Sequence, residues 1–259
     1  MTLHPLLPES IRLDAPRRLF CFPHAGGGAA VFYRWQRYLP EDVALVPMRM
    51  PGREDRLAAP VYDELSHLAD EITEAISALP PAPHLFVGHS LGGYVAFEVT
   101  RRLVDRQLPL PHKLIVAACG APRGTKPKSP IGQLPDQDFI DEVSNRYDGI
   151  PAAVRESPEL MAMVLPPLRA DIQMIETYEY IAGEPLPVDI LALGGTNDPG
   201  VAVHRLNAWR ELTSRHFAMR LMPGGHFFLH PAPRREATSK AVPPAIAMVL
   251  AALPELGDQ

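Results

Sequence analysis

Gly88-His89-Ser90-Leu91-Gly92 holds a serine with a glycine two residues away on each side. That spacing suits a turn too sharp for a Cβ at either flanking position, and it presents the hydroxyl between them. A serine hydroxyl attacks a carbonyl only when a base takes its proton, and the base needs an acid to hold its ring. His112, His204, His216, His226 and His230 follow Ser90 in the chain. Only His226 stands on a glycine-rich loop, Met222-Pro-Gly-Gly-His226, behind the last strand-like run. The acid is expected on the loop after the preceding run, and Leu193-Gly-Gly-Thr-Asn-Asp198 ends in one. Asp189 fails because it opens a strand, at the wrong end of a sheet, and Cys119-Gly-Ala-Pro-Arg123 holds no carboxylate. Ser90, Asp198 and His226 are the expected nucleophile, orienter and base, in a chain order known for this triad.

Such an attack creates an oxyanion that needs two N–H donors. The backbone of Leu91, next after the serine, is one. The other is expected at Ala25, in Phe22-Pro-His-Ala-Gly-Gly-Gly28, where glycines let the backbone approach the reacting carbonyl. The remaining polar groups nearby read as structure. His89 adjoins Ser90 but projects away from it at such a turn, and His24 shapes its own loop. His226 and His230 are spaced like a metal pair, yet no third ligand is placed to complete a site. Neither a metal nor a cofactor is expected. Cys21 and Cys119 lie in apolar runs without a CxxC and read as buried thiols.

Those loops need strands to carry them. Arg18–Phe22, Val43–Pro47, His84–Val87, Lys113–Ala117, Val188–Leu193 and Phe217–Leu221 are near-continuously apolar, as strands covered on both faces must be. Helical spacing fills Asp63 to Leu79, with Leu65, Leu68, Ala69, Ile72, Ala75, Ile76 and Leu79 on one face. Gly92 to Val104, Val203 to Leu212 and Ala245 to Leu253 are further helices. The alternation predicts an α/β fold with a mostly parallel sheet between two helical layers. Residues 123–187 break it, with helical patterns and no strand. Asp136 is expected to cap a helix through Tyr147, and Ser157 one that starts at Pro158. Pro166-Pro167 then interrupts before Ala170 to Tyr180 resumes. This insertion reads as a lid. Its apolar residues include Met163, Leu165 and Ile175, and Met161, Met174 and Tyr178 are assigned to substrate binding.

Length and charge bound the rest. A chain of 259 residues is generous for one α/β domain and tight for two, so one domain with an insertion, 1–259, is expected. A net charge of −5 gives no basic footprint for nucleic acid. The 30 prolines and 18 glycines show no repeat and read as turns. Met1 to Arg18 lacks an apolar core like that of a signal peptide, and Ala241 to Pro254 is too short to span a bilayer. A cytoplasmic protein without membrane contact is expected. Nothing in the chain demands a dimer, so a monomer is expected as well.

Five segments together carry a family resemblance: Phe22-Pro-His-Ala-Gly-Gly, Met50-Pro-Gly-Arg-Glu-Asp-Arg56, Gly88-His-Ser-Leu-Gly-Gly93, Gly194-Gly-Thr-Asn-Asp198 and Gly224-Gly-His-Phe-Phe228. They resemble the type II (external) thioesterases of polyketide and nonribosomal peptide assembly lines, within the α/β-hydrolase superfamily. The likeness runs from Leu19 to His230 and is least distinctive in the lid. It implies an α/β-hydrolase fold, Ser90 as nucleophile, His226 as base and Asp198 as orienter. It also implies removal of stalled or wrong acyl groups from the phosphopantetheine arms of acyl or peptidyl carrier proteins. The Pro51-Gly-Arg53 loop matches a family motif, and Arg53 reads as structural there before it reads as a contact near the substrate entrance.

Two other enzymes could use the same triad, a small-ester carboxylesterase and an acyltransferase or cyclase that excludes water. A catalytically dead fold kept as a binding module is a third reading. The motif set and the expected cytoplasmic character argue against the carboxylesterase. The separate chain length without a fused carrier segment argues against the acyltransferase or cyclase, and the intact triad argues against the dead fold. Arg123, Lys126 and Lys128 where the lid begins, with Arg34 and Arg37 behind the oxyanion loop, are candidates for steering an acidic carrier protein into place.

Overall fold

A computed structural model describes residues 3–123, 129–147, 149–230 and 241–253. Each strand-like run becomes a strand: β1 (Arg17–Phe22), β2 (Val43–Pro47), β3 (His84–His89), β4 (Lys113–Ala117), β5 (Asp189–Gly195) and β6 (Phe217–Met222). They form one sheet in the order β2-β1-β3-β4-β5-β6, and every pairing is parallel. The helices are α1 (Ala30–Tyr33), α2 (Leu65–Ser77), α3 (Leu91–Asp105), α4 (Asp136–Tyr147), α5 (Ala152–Arg155), α6 (Pro158–Thr177), α7 (Val203–Asn207) and α8 (Pro244–Leu250).

Successive strand residues point to opposite faces, and both faces are covered. Phe20, Phe22, Phe86, Leu114, Val116, Ile190 and Ala192 enter one core with the apolar faces of α2 and α3. Leu19, Cys21, Leu85, Val87, Ile115, Ala117, Leu191 and Leu193 enter the other with Phe32, Trp35 and α8. That two-sided burial is why the strand segments read as continuous rather than alternating apolar runs. Among the described residues no helix is long and apolar enough to cross a membrane.

Helices α4 to α6 lie between β4 and β5 and have a small core of their own, built from Ile131, Phe139, Val143, Ile150, Leu168 and Ile172. Ser157 caps α6 as expected, its Oγ accepting from the Leu160 N–H at 3.3 Å. Two expectations change here. Asp136 is already helical, and the ladder of α4 starts from the Pro135 carbonyl, which accepts the Phe139 N–H. Asp136 instead receives Arg169 of α6 at 2.7 Å.

Pro166-Pro167 does not interrupt the helix. Helix α6 runs unbroken from Pro158 to Thr177 with both prolines inside it. An interior proline costs about 3 kcal/mol, so tertiary contacts must hold the segment helical. Pro167 and Leu168 are buried, and Asp171 and Arg169, within the next turn, are both bonded to other segments.

Candidate active site

The carboxyl ends of β1, β3, β5 and β6 deliver the site. Ser90 sits between β3 and α3 at φ 52° and ψ −117°, a strained conformation for a residue with a side chain. Its N–H is held by the Ala117 carbonyl at 2.8 Å. The flanking glycines are obligatory. A Cβ on Gly88 would lie 2.2 Å from the Gly92 carbonyl oxygen, and one on Gly92 would lie 2.1 Å from that of Phe22. The turn is thereby wedged against the end of β1, where the Phe22–Gly28 loop begins.

The loops after β5 and β6 are joined to each other. Thr196 N–H donates to the Met222 carbonyl and Asn197 N–H to that of Gly224, each at 2.9 Å. Gly195 allows the approach, since a Cβ there would lie 2.4 Å from the Gly225 oxygen. This brings Asp198 Oδ2 to 2.9 Å from His226 Nδ1, while Asp198 Oδ1 accepts the Gly200 N–H at 2.8 Å. His226 Nε2 lies 3.0 Å from Ser90 Oγ. The Asp198 and His226 side chains are only 1% and 4% exposed, so water does not compete for their contact. A carboxylate only accepts, so Nδ1 carries the proton and Nε2 is left to accept from the serine hydroxyl. The three groups form one continuous chain of hydrogen bonds.

His89 turns away from Ser90, is fully buried, and donates through Nε2 to the His226 carbonyl at 2.9 Å. It thus supports the His226 backbone from behind, and burial drives its own pKa well below the usual histidine value. His24 donates through Nδ1 to the Ala25 carbonyl at 2.9 Å, and burial lowers its pKa to about 4. Both rings are neutral at pH 7. Leu91 is the first residue of α3, so its N–H has no acceptor within the helix. Ala25 and Ser90 line the same cavity.

That cavity has a volume of about 1050 Å³ and lies between the sheet's carboxyl edge and the α4–α6 segment. Leu168, Ile172 and Ile175 of α6 form its apolar wall. Tyr178 lines it too, with its hydroxyl donating to Glu98 Oε1 at 2.6 Å. Burial, and then Glu98, push that phenol's pKa upward. The two methionines assigned to substrate binding are elsewhere. Met174 is buried in the core beneath α6, and Met161 lines a separate hollow of about 320 Å³ with Ile140 and Arg155. A helix covering a cavity shows it one face only, and on α6 that face is Leu168-Ile172-Ile175. Cys119 also borders the main cavity, and burial raises its thiol to about 12, which keeps it protonated. Arg123 is ion-paired with Glu211 at 2.9 Å, while Lys126 and Lys128 lie outside the described residues.

Residues 17–244 match the thioesterase domain family. The chain belongs to the thioesterase family. It is 38% identical over 221 residues to the gramicidin S biosynthesis protein GrsT of Aneurinibacillus migulanus, covering 85% of this chain and 86% of that protein. Thioesterase PikA5 of Streptomyces venezuelae is 36% identical over 214 residues, 82% of this chain and 75% of that one. Among solved structures, the RedJ thioesterase from the prodiginine pathway of Streptomyces coelicolor superposes with a TM-score of 0.80 at 31% identity, over 93% of this chain and 90% of that one.

In this thioesterase three residues take up positions around the site that no local motif marks. Glu98, in the middle of α3, holds Tyr178 in the cavity wall. Tyr147, the last residue of α4, sets its ring 5.0 Å from that of His226. Asp171 of α6 bonds across the fold to Gly26 and Arg53. Their partners are distant in sequence, so spacing along the chain carries no signal for them.

Proposed function

We propose that this thioesterase is a serine hydrolase that removes acyl groups from the phosphopantetheine arm of acyl or peptidyl carrier proteins, clearing stalled or wrong units from a polyketide or nonribosomal peptide assembly line. The observation that carries the reading is the Ser90–His226–Asp198 alignment at the wall of a 1050 Å³ cavity large enough for an acyl chain. His226 Nε2 takes the Ser90 proton as Oγ bonds to the thioester carbon. The N–H groups of Ala25 and Leu91 hold the oxyanion. The C–S bond then breaks, and the departing sulfur leaves as the thiol with the proton from His226. Water, activated by the same nitrogen, attacks the acyl-serine and releases the free acid. The α4–α6 segment within 123–187 roofs the cavity as a lid on a single 1–259 domain, and the enzyme works in the cytoplasm beside its carrier. Arg34, Arg37 and the basic residues from Arg123 to Lys128 steer that acidic partner.

The test sets a carrier protein bearing a short acyl group on its arm against a nitrophenyl ester of the same acid. A kcat/KM that favours the carrier is expected. If the oxygen ester is the better substrate and the carrier stays loaded, the protein is a small-ester hydrolase. In the same assay Lys126→Glu/Lys128→Glu is expected to slow the carrier reaction and to leave the nitrophenyl ester unchanged; equal rates on both would remove the docking role.

A further inference from the structure

The oxyanion donor expected at Ala25 lies on a loop, and a loop peptide plane can rotate. Here the plane between Ala25 and Gly26 is gripped at both ends. Its carbonyl accepts from His24 Nδ1 at 2.9 Å, and its N–H donates to Asp171 Oδ2 at 2.7 Å. Asp171 comes from α6, the helix that walls the cavity, and is 2% exposed. The same carboxylate is held by the fork of Arg53, with Nη1 to Oδ2 at 2.6 Å and Nη2 to Oδ1 at 3.0 Å. Arg53 Nη1 also donates to the Gly27 carbonyl at 3.0 Å, and its Nε donates to that of Pro51 at 3.1 Å. Next to it Glu54, at φ 54°, accepts the N–H groups of Ala29 and Ala30 at 3.0 and 2.8 Å. The Pro51–Asp55 loop therefore braces the glycine-rich loop along its length, and α6 joins the brace through one buried carboxylate. Leu168, one turn earlier on α6, packs where a Cβ on Gly26 would lie, at 3.0 Å.

We propose that Asp171 and Arg53 are positioning residues that set the oxyanion hole, so that hydrolysis requires α6 to be seated over the cavity. Asp171 fixes the Gly26 N–H, which keeps the Ala25 carbonyl turned toward His24 and out of the space the oxyanion fills. When α6 lifts, that bond is lost, and the Ala25–Gly26 plane is free to turn its carbonyl into the hole. The brace also explains a glycine at position 26, whose φ of 75° a side chain rarely adopts. This inference rests on the serine-thioesterase reading above.

Removing Asp171 alone leaves the buried Arg53 charge without a partner, and breaking such a pair can unfold a protein. The test therefore uses two double variants, Arg53→Met/Asp171→Asn and Arg53→Met/Asp171→Leu. Both lack the charges, and only the asparagine of the first pair can still accept the Gly26 N–H. Each is assayed below its Tm on a small acyl thioester, with an alkyl boronic acid as a probe of the tetrahedral adduct. The Leu pair is expected to lose about 100-fold in kcat relative to the Asn pair. KM should change little, and boronate affinity should fall along with kcat. A merely structural brace would lower Tm and leave kcat per folded enzyme and boronate affinity equal in the two pairs, which would overturn the proposal. If either pair fails to fold, Asp171→Glu, which keeps a carboxylate for Arg53 and displaces it from the Gly26 N–H, decides through boronate affinity. A loss of about tenfold or more, approaching that of Ala25→Pro, which deletes the donor, supports the Gly26 bond, and retention within about threefold opposes it. Ser90→Ala run alongside separates the two readings: activity surviving in that variant defeats the serine mechanism itself, whereas its loss with equal double variants defeats only the role of Asp171.

Discussion

Replacing His84 with phenylalanine should make the fold less sensitive to acid, by an amount the structure sets. His84 opens β3, is 5% exposed, and packs edge-on to Phe20 with ring centres 5.4 Å apart. Its Nδ1 donates to the Ala82 carbonyl at 3.0 Å, and its Nε2 has no partner among the described residues. Burial, which outweighs that bond, lowers its pKa from 6.5 to about 4. The unfolded chain therefore binds a proton below pH 6.5 that the folded chain refuses until about pH 4. Stability contributed by the neutral ring is intact above pH 6.5 and drains away as the pH falls toward 4. Between pH 7 and pH 5 the loss from this one site is about 2 kcal/mol. A phenylalanine keeps the ring contacts and cannot titrate. It leaves the Ala82 carbonyl unpaired at every pH, which shifts the baseline but not the slope. Urea unfolding at pH 7 and pH 5 reads the difference. The drop in unfolding free energy should be about 2 kcal/mol smaller in His84→Phe than in the parent. Equal drops in the two proteins would refute the assignment of a neutral, desolvated His84.

Three further outcomes follow from the site. Asp198→Asn should lower kcat on a small thioester by about 100-fold or more, because the amide no longer selects the Nδ1–H form of His226; a change below about threefold would take Asp198 out of the triad. Gly92→Ala should fail to fold or lose most of its thermal stability, since its Cβ would fall 2.1 Å from the Phe22 oxygen, whereas Gly183→Ala, with no neighbour nearer than 3.3 Å, should keep its Tm within a few degrees. Ile172→Trp should fill part of the cavity and shift preference toward shorter acyl chains, read as a fall of about tenfold in the kcat/KM ratio of octanoyl to acetyl thioester; an unchanged ratio would place the chain elsewhere.

How much could be read from the chain follows from where each feature keeps its information. The strands were legible because two-sided burial makes Leu85-Phe86-Val87 and Leu114-Ile115-Val116 continuously apolar. Ser90, Asp198 and His226 were legible because each sits on a glycine-marked loop directly after such a strand, and the glycines record close backbone approaches that the folded chain indeed makes. The α4–α6 segment hid more. Pro166-Pro167 looked like a break because local propensity opposes helix there, and only packing by Pro167, Leu168 and Asp171 overrides it. Met161 and Met174 looked like cavity wall because composition shows that a helix has an apolar face without showing which way it turns. The Arg53–Asp171 pair spans 118 residues and leaves no trace in local spacing.

The most direct measurement follows a carrier protein loaded with an acyl-phosphopantetheine arm by intact mass, with the parent enzyme and with Ser90→Ala. Rapidly quenched parent enzyme is digested in parallel and searched for the acyl mass. The account predicts an unloaded carrier, an acyl group on the peptide containing Ser90, and a carrier that stays loaded with Ser90→Ala. Unloading by Ser90→Ala within about tenfold of the parent rate, with no acyl-peptide in either protein, would contradict it.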